Sequence, residues 1–314
     1  MKHLIVTVTL NPAIDRTVSV EEFCIDKVNR VKNIQRDAGG KGLNVTKTIK
    51  ALGGESQALV ILGGRNGQWI SDEAIRLGLD LITVSVSGET RENIKIVDLV
   101  EKTYTDLNEG GPVADEALIV LLIQKINAIV KPGDYLVLSG SALPGMPEDI
   151  FKRIIDSVKA KDVSVIVDVD GAYLENAIIA KPTLIKPNID ELEAFLGKTL
   201  ETLEDMIAAA RNLIEKGVTY VVISRGSEGL LWVDANQAIE AKGLTVEVKS
   251  TVGAGDAVVA ALVTGLSQGR LPDAIVRRAV ATATSVVMNE GSKTGSMSNL
   301  VELEKQVVIQ TINV

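Results

Sequence analysis

Ser250-Thr251-Val252-Gly253-Ala254-Gly255-Asp256-Ala257 runs directly into an apolar stretch of helical period, Ala254 to Ser267. The two glycines allow a tight turn at the helix start, so that free amide N–H groups converge on one spot with the positive end of the helix dipole. The segment therefore predicts an anion site. Asp256 falls in the first helical turn, where a carboxylate stabilises the dipole by itself. Beside an anion site it has a second use. Phosphoryl transfer needs charge stabilisation on the moving phosphate and a base to take the hydroxyl proton. A dinucleotide fingerprint would need a third glycine where Val258 stands, and a Walker A loop would need Ser or Thr where Gly42 follows Gly40-Lys41, so both of those readings fail.

On either side of this segment, short β-branched runs alternate with longer stretches of helical period. The strand runs are Leu4 to Leu10, Gln57 to Leu62, Tyr135 to Leu138, Val163 to Val167, Leu184 to Lys186 and Tyr220 to Ser224. The helical stretches are Leu43 to Leu52, Glu116 to Ile129, Glu148 to Lys159, Leu203 to Lys216, Ala254 to Ser267 and Asp273 to Asn289. This is the pattern of an α/β protein with a central, mostly parallel sheet and helices on both faces. Two stretches, 17–37 and 92–107, place strands of mixed polarity one after another with no room for helices. They predict a small second sheet that cannot bury both faces and so covers a ligand cleft or a partner subunit. With no repeat and no low-complexity linker, residues 1–314 are expected to form one domain carrying this small sheet as a lid.

The composition narrows the function class. A net charge of −8 argues against non-specific nucleic-acid binding, which needs clustered Lys and Arg to displace phosphate counterions. A single cysteine, Cys24, excludes an internal disulfide and a CxxC metal knuckle, and the single histidine, His3, has no partner for a metal. The apolar N-terminal run ends too soon at Asn11-Pro12 for a signal peptide, and no stretch reaches the ~20 apolar residues of a membrane span. A cytoplasmic protein that does not engage membranes is expected. Apolar strands at the surface of the small sheet further lead to the expectation of a homodimer built through it.

A second glycine cluster, Asp37-Ala38-Gly39-Gly40-Lys41-Gly42-Leu43-Asn44, opens a helix and sets Lys41 and Asn44 where an approaching polar ligand would meet them. A plain tight turn explains the glycines but not these two side chains. Asn11-Pro12-Ala13-Ile14-Asp15, the Gly39-to-Asn44 cluster, Thr90-Arg91-x-Asn93, Lys186-Pro187-Asn188-x-x-Glu191, Ser224-Arg225-Gly226-x-x-Gly229 and Gly253-Ala254-Gly255-Asp256 follow one another in this order. Together they resemble the PfkB (ribokinase-like) carbohydrate kinases across nearly the whole chain. Lys41 in the first cluster is similar to the branch that holds 1-phosphofructokinases and tagatose-6-phosphate kinases.

The resemblance implies a ribokinase-like fold and ATP-dependent phosphorylation of a ketohexose phosphate, with fructose 1-phosphate ranked before tagatose 6-phosphate and fructose 6-phosphate; a non-catalytic sugar-phosphate-binding regulator ranks behind them, since Asp256 and the intact anion hole count against it. It implies Asp256 as catalytic base, with the amides of Gly253, Ala254 and Gly255 as the anion hole. Asp15, Gly39, Gly40, Asn44, Asn93 and Ser139 would hold the sugar. Arg91 and Lys41 would hold the phosphate already on it, with Lys27 and Arg30 as weaker candidates. On the nucleotide side it implies Lys186, Asn188 and Glu191, with Glu191 organising Mg²⁺ through water, then Ser224, Gly226 and Gly229 under the ATP phosphates and ribose, and Asn289 with Gly291 at the adenine. Arg225 stands where an apolar residue is common. The tail after Met288 matches poorly, which leaves a monovalent cation open.

Overall fold

β-Branched and leucine-rich runs pair as the alternation predicts, in a computed structural model that describes residues 3–289 and 295–313. Seven parallel strands form most of the main sheet: β1 (Ile5–Thr9), β4 (Gln57–Leu62), β5 (Asp80–Ser85), β8 (Tyr135–Ser139), β9 (Ser164–Asp168), β10 (Leu184–Ile185) and β11 (Tyr220–Ser224). Three antiparallel strands, β12 (Gly229–Val233), β13 (Gln237–Lys242) and β14 (Ile309–Asn313), complete one edge. The order across this sheet is β14-β13-β12-β11-β10-β9-β8-β1-β4-β5. A separate sheet contains β2 (Ala13–Val20), β3 (Asn33–Gly39), β6 (Arg91–Asp98) and β7 (Tyr104–Leu107) in the order β3-β2-β6-β7. It begins at Ala13 and Arg91, closer to the main sheet than the 17–37 and 92–107 stretches read from sequence. The extra residues matter because Asp15 lies opposite Asn93 in the β2–β6 ladder.

Ten helices are described: α1 (Lys41–Ala51), α2 (Gly64–Arg76), α3 (Glu116–Ile129), α4 (Ile150–Val158), α5 (Gly171–Ile179), α6 (Ile189–Leu196), α7 (Leu203–Glu215), α8 (Ala254–Ser267), α9 (Pro272–Val287) and α10 (Met297–Gln306). Helices α3 to α7 cover one face of the main sheet, and α1, α8, α9 and α10 cover the other. Successive side chains of a strand point to opposite faces. Accordingly Leu136 and Leu138 of β8 join the first core while Val137 joins the second. Helix α8 is buried on all sides from Asp256 to Gly265, because it lies between α1 and α9. That explains an apolar composition that no amphipathic pattern would give.

The strand order reverses between β1 and β8: β4 and β5 extend to one side of β1, and β8 to β11 to the other. In open α/β sheets the crevice at such a reversal, outside the carboxyl ends of the strands, is where ligands bind. The carboxyl ends of β1, β8, β9, β10 and β11 supply Thr9, Ser139, Asp168, Lys186 and Ser224 to one cleft. The wall opposite them comes from the start of α8 and from β2 and β6.

Ile49 of α1 is fully buried in the cluster that joins α1 to α8. Ile49→Ala should lower the unfolding free energy by about 2–5 kcal/mol in urea titrations. A variant as stable as the parent would show that the α1–α8 contact does not hold this face together.

Candidate active site

Gly253 caps α8 in the left-handed region, at φ 80°, and no side chain caps the helix start. The first turn of a helix has no acceptors of its own for its N–H groups. Ala254 N–H makes a long bond of 3.3 Å to the Thr251 carbonyl, so the amides of Gly253, Gly255 and Asp256 are the better donors left to the cleft. The Asp256 amide was outside the expected set, and Ala254 lines the same cleft. A Cβ on Gly255 would meet no atom closer than Lys186 Nζ at 3.9 Å, which is the room an anion would use.

The Asp256 carboxylate is buried and does not cap its own helix. Its Oδ2 accepts a 2.9 Å hydrogen bond from Asn44 Nδ2 on α1. Burial first, and then the negative charge of Asp168, push its pKa up to about 6, against the Asn44 bond and the charges of Lys41 and Lys186. Asp168 was not among the residues picked from sequence, although it ends an apolar strand at the crevice. Its Oδ1 pairs with Lys186 Nζ at 3.1 Å, and its Oδ2 lies 3.9 Å from Lys41 Nζ and accepts from Ser139 Oγ at 3.2 Å. Burial alone would raise the Asp168 pKa, but the two lysines hold it below the ordinary value. Lys41 is in turn held above its ordinary value, first by Asp168.

At one end of the cleft, Asp15 Oδ1 accepts from Asn93 Nδ2 at 3.1 Å, and burial raises the Asp15 pKa. Arg91 lines the same end. Its guanidinium donates to the carbonyls of Asn11, at 2.9 Å, and Glu109, at 3.1 Å, which fixes the plane of the fork. Gly40 and Asn44 also line this end, but Gly39 does not. A Cβ there would clash with Asp15 Oδ2, so Gly39 makes room for that carboxylate. Lys27 and Arg30 are exposed on the 21–32 loop and do not line the cleft. Asn11 and Asn108 do line it. The fold alone brings them there, since Asn11 was read only as part of a motif and nothing local marks Asn108.

At the other end, Asn188 and Glu191 lock each other at the start of α6. Asn188 Oδ1 accepts from Glu191 N–H at 2.7 Å, and Glu191 Oε2 accepts from Asn188 N–H at 3.0 Å. Both still face the cleft, with Ser224, Gly226 and Gly229. Arg225 turns away into an ion pair with Glu240 at 2.6 Å, so its departure from the common apolar residue leaves the loop intact. Asn289 is not at the cleft. Its Nδ2 donates to the Ser285 carbonyl one turn back, and the apolar wall is made by Val246, Val248, Val252, Val280, Ala283 and Val287. Gly291 lies outside the described residues. The whole cleft encloses about 860 Å³, enough for two small ligands end to end.

Among the described residues no cluster of three or more His, Cys, Asp or Glu could cage a metal. One oxygen of Glu191 is already used in its helix cap. That donor set fits a hydrated Mg²⁺ held largely by phosphates, because this ion keeps several waters and takes few protein ligands.

A mostly parallel α/β sheet whose cleft holds an uncapped helix start, a buried carboxylate and a polar pocket is an arrangement suited to phosphoryl transfer. A model of the pfkB family carbohydrate kinases matches residues 2–299. The 1-phosphofructokinase of Vibrio cholerae is 33% identical over 312 residues, which cover 99% of this chain and 98% of that protein. A tagatose-6-phosphate kinase of Staphylococcus epidermidis is 30% identical over 309 residues, covering 98% and 99%. The crystal structure of phosphofructokinase-2 from Escherichia coli in complex with potassium superposes with a TM-score of 0.92 at 26% identity, over 97% of this chain and 99% of that one. The chain therefore belongs to the pfkB family of carbohydrate kinases, with the ribokinase-like α/β fold.

The folded pKa of Asp256, about 6, exceeds its ordinary value of 3.8. Protonation therefore favours the folded state. The ionised form costs stability in full above pH 6, and the cost fades as the pH falls toward 3.8. Asp256→Asn should remove a cost on the order of 2–3 kcal/mol. Thermal scans of the ligand-free protein should show a Tm raised by several degrees at pH 8 and a smaller gain at pH 5. An equal or lower Tm at pH 8 would contradict the burial of an ionised carboxylate.

Proposed function

We propose that this kinase transfers the γ-phosphoryl group of ATP to a ketohexose phosphate, with fructose 1-phosphate as its substrate and fructose 1,6-bisphosphate as product. The observation that carries the reading is the position of Asp256: a buried carboxylate of pKa about 6, in the same helical turn as the free amides of Gly253 and Gly255. A base of that pKa is ionised at neutral pH and still accepts a proton from a hydroxyl in the transition state. The amides beside it stabilise charge on the moving phosphoryl group. Mg²⁺, held with ATP near Glu191, would neutralise charge on the nucleotide phosphates.

Asp15, steadied by Asn93, leaves its second oxygen for sugar hydroxyls, and Asn44 reaches the same pocket. Arg91 keeps N–H groups on both terminal nitrogens beyond those given to Asn11 and Glu109, and a planar fork suits the phosphate already on the sugar. Lys186, Ser224 and the Gly226 and Gly229 turns take the ATP phosphates and ribose, and the valine-lined wall takes the adenine. Tagatose 6-phosphate is the second reading, favoured by a relative of that name that covers this chain as fully as the 1-phosphofructokinases do. A monovalent cation belongs to the proposal because the E. coli phosphofructokinase-2 above is a potassium complex.

The small sheet would act as the lid of the sugar pocket, since Asp15, Arg91 and Asn93 sit on its strands. Ile34 and Leu107, exposed on the side away from Asp15, support a homodimer formed through the outer side of the sheet. A cytoplasmic setting fits a substrate pair of intracellular metabolites.

Asp256→Asn should lose kcat by roughly 10²–10⁴-fold while binding both substrates. In the parent enzyme kcat/KM should fall about tenfold per pH unit below pH 6, as the base protonates. Near-normal turnover by the folded variant would remove Asp256 from the mechanism. Arg91→Ala should cost on the order of ten- to a hundredfold in kcat/KM for the sugar phosphate. It should leave the KM for ATP and the slow turnover of plain fructose little changed. A parent enzyme that preferred fructose or a nucleoside over the three ketohexose phosphates would overturn the substrate assignment.

A further inference from the structure

We propose that Lys47 is a positioning residue: it sets the polarity of the Asn44 side-chain amide so that Nδ2, and not Oδ1, faces Asp256 and the base is kept ionised. Asn44 and Lys47 lie three residues apart on one face of α1, below the glycine cluster. The Lys47 ammonium donates to the Ala38 carbonyl at the end of β3 and, at 3.2 Å, to Asn44 Oδ1. The other end of the same amide, Nδ2, donates to Asp256 Oδ2 at 2.9 Å.

The direction of this relay follows from donor and acceptor chemistry alone. An ammonium has three donors and no acceptor, so the amide atom facing Lys47 must be oxygen. The amide atom facing Asp256 is then the NH₂ group. Reversing the amide would set N–H against the ammonium and an oxygen against Asp256 Oδ2. Two facing oxygens share a hydrogen bond only if the carboxyl is protonated, and a protonated Asp256 is no base. Lys47 has no contact with the reacting atoms, so its effect runs through Asn44.

Burial pushes the pKa of Lys47 below the ordinary lysine value, opposed by the charges of Asp37, Asp15, Asp256 and Glu73. Asp256 itself faces Asp168, Lys41 and Lys186 as well as Asn44. Those two lysines are engaged with Asp168, which leaves the Asn44 amide as the group that hydrogen-bonds to Asp256 directly.

This inference rests on Asp256 as the base, and its test separates the two. In Lys47→Met the acidic limb of kcat/KM should move up by about one pH unit, since a hydrogen bond to the charged form and a nearby positive charge are both lost. The variant should therefore lose on the order of tenfold more at pH 5 than at pH 8.5. Lys47→Arg, which is also a charged group with donors and no acceptor, should restore the parent profile. A loss of the same size at every pH, or no loss, would overturn the proposal, because a merely structural role does not move the limb. If Lys47→Met does not fold, an atomic-resolution structure of the parent protein decides: Asn44 Oδ1 facing Asp256 would overturn the proposal, and Nδ2 facing it would sustain it. Full activity in Asp256→Asn would instead defeat the base assignment, whatever the orientation of the amide.

Discussion

An ionised carboxylate with almost no access to water is the constraint around which this cleft is built. Burying such a group costs several kcal/mol unless hydrogen bonds and opposite charges compensate. Asp256 has three kinds of compensation: the N-terminus of an apolar helix, one hydrogen bond from Asn44, and the fields of Lys41 and Lys186. None of them is complete, and Asp168 works against them. The residual strain appears as a pKa near 6 where a surface aspartate would titrate near 3.8.

The two lysines and Asp168 form the hinge between the ends of the cleft. Lys41 comes from the glycine cluster at the start of α1, Lys186 from the carboxyl end of β10, and Asp168 sits between them. A buried aspartate shared by two lysines holds both ammonium groups in place and raises the pKa of Lys41. Positive charge is thereby gathered at the cleft of a chain that is acidic overall.

The small sheet solves a different problem. Its strands β2 and β6 run parallel, and the register sets Asp15 beside Asn93 on the side that meets the cleft. Gly39, next to Asp15 across the β2–β3 ladder, leaves the space in which that carboxylate turns. One side of this thin sheet carries Asp15 and Asn93, which line the cleft, and the other leaves Ile34 and Leu107 exposed.

Much of this was legible along the chain. Glycines at helix starts, the aspartate after Gly253-Ala254-Gly255 and the β-branched runs are local signals, and local geometry governs how a backbone turns and where an amide is left free. The α8 and α3 boundaries and the β4 and β11 strands match the stretches read from sequence residue for residue. What the sequence could not reveal depends on groups far apart in the chain. Asn44 and Asp256 are 212 residues apart, Ser139 and Asp168 are 29, and β14 pairs with β13 across the intervening helices α8, α9 and α10. Gly39 and Asn289 show the same limit from the other side, since each belongs to a telling motif or region yet touches a neighbour and not the cleft. A residue's chemical type is written in the sequence, but its charge state and the direction of its hydrogen bonds are set by desolvation and by partners that only the folded chain brings within a few ångströms.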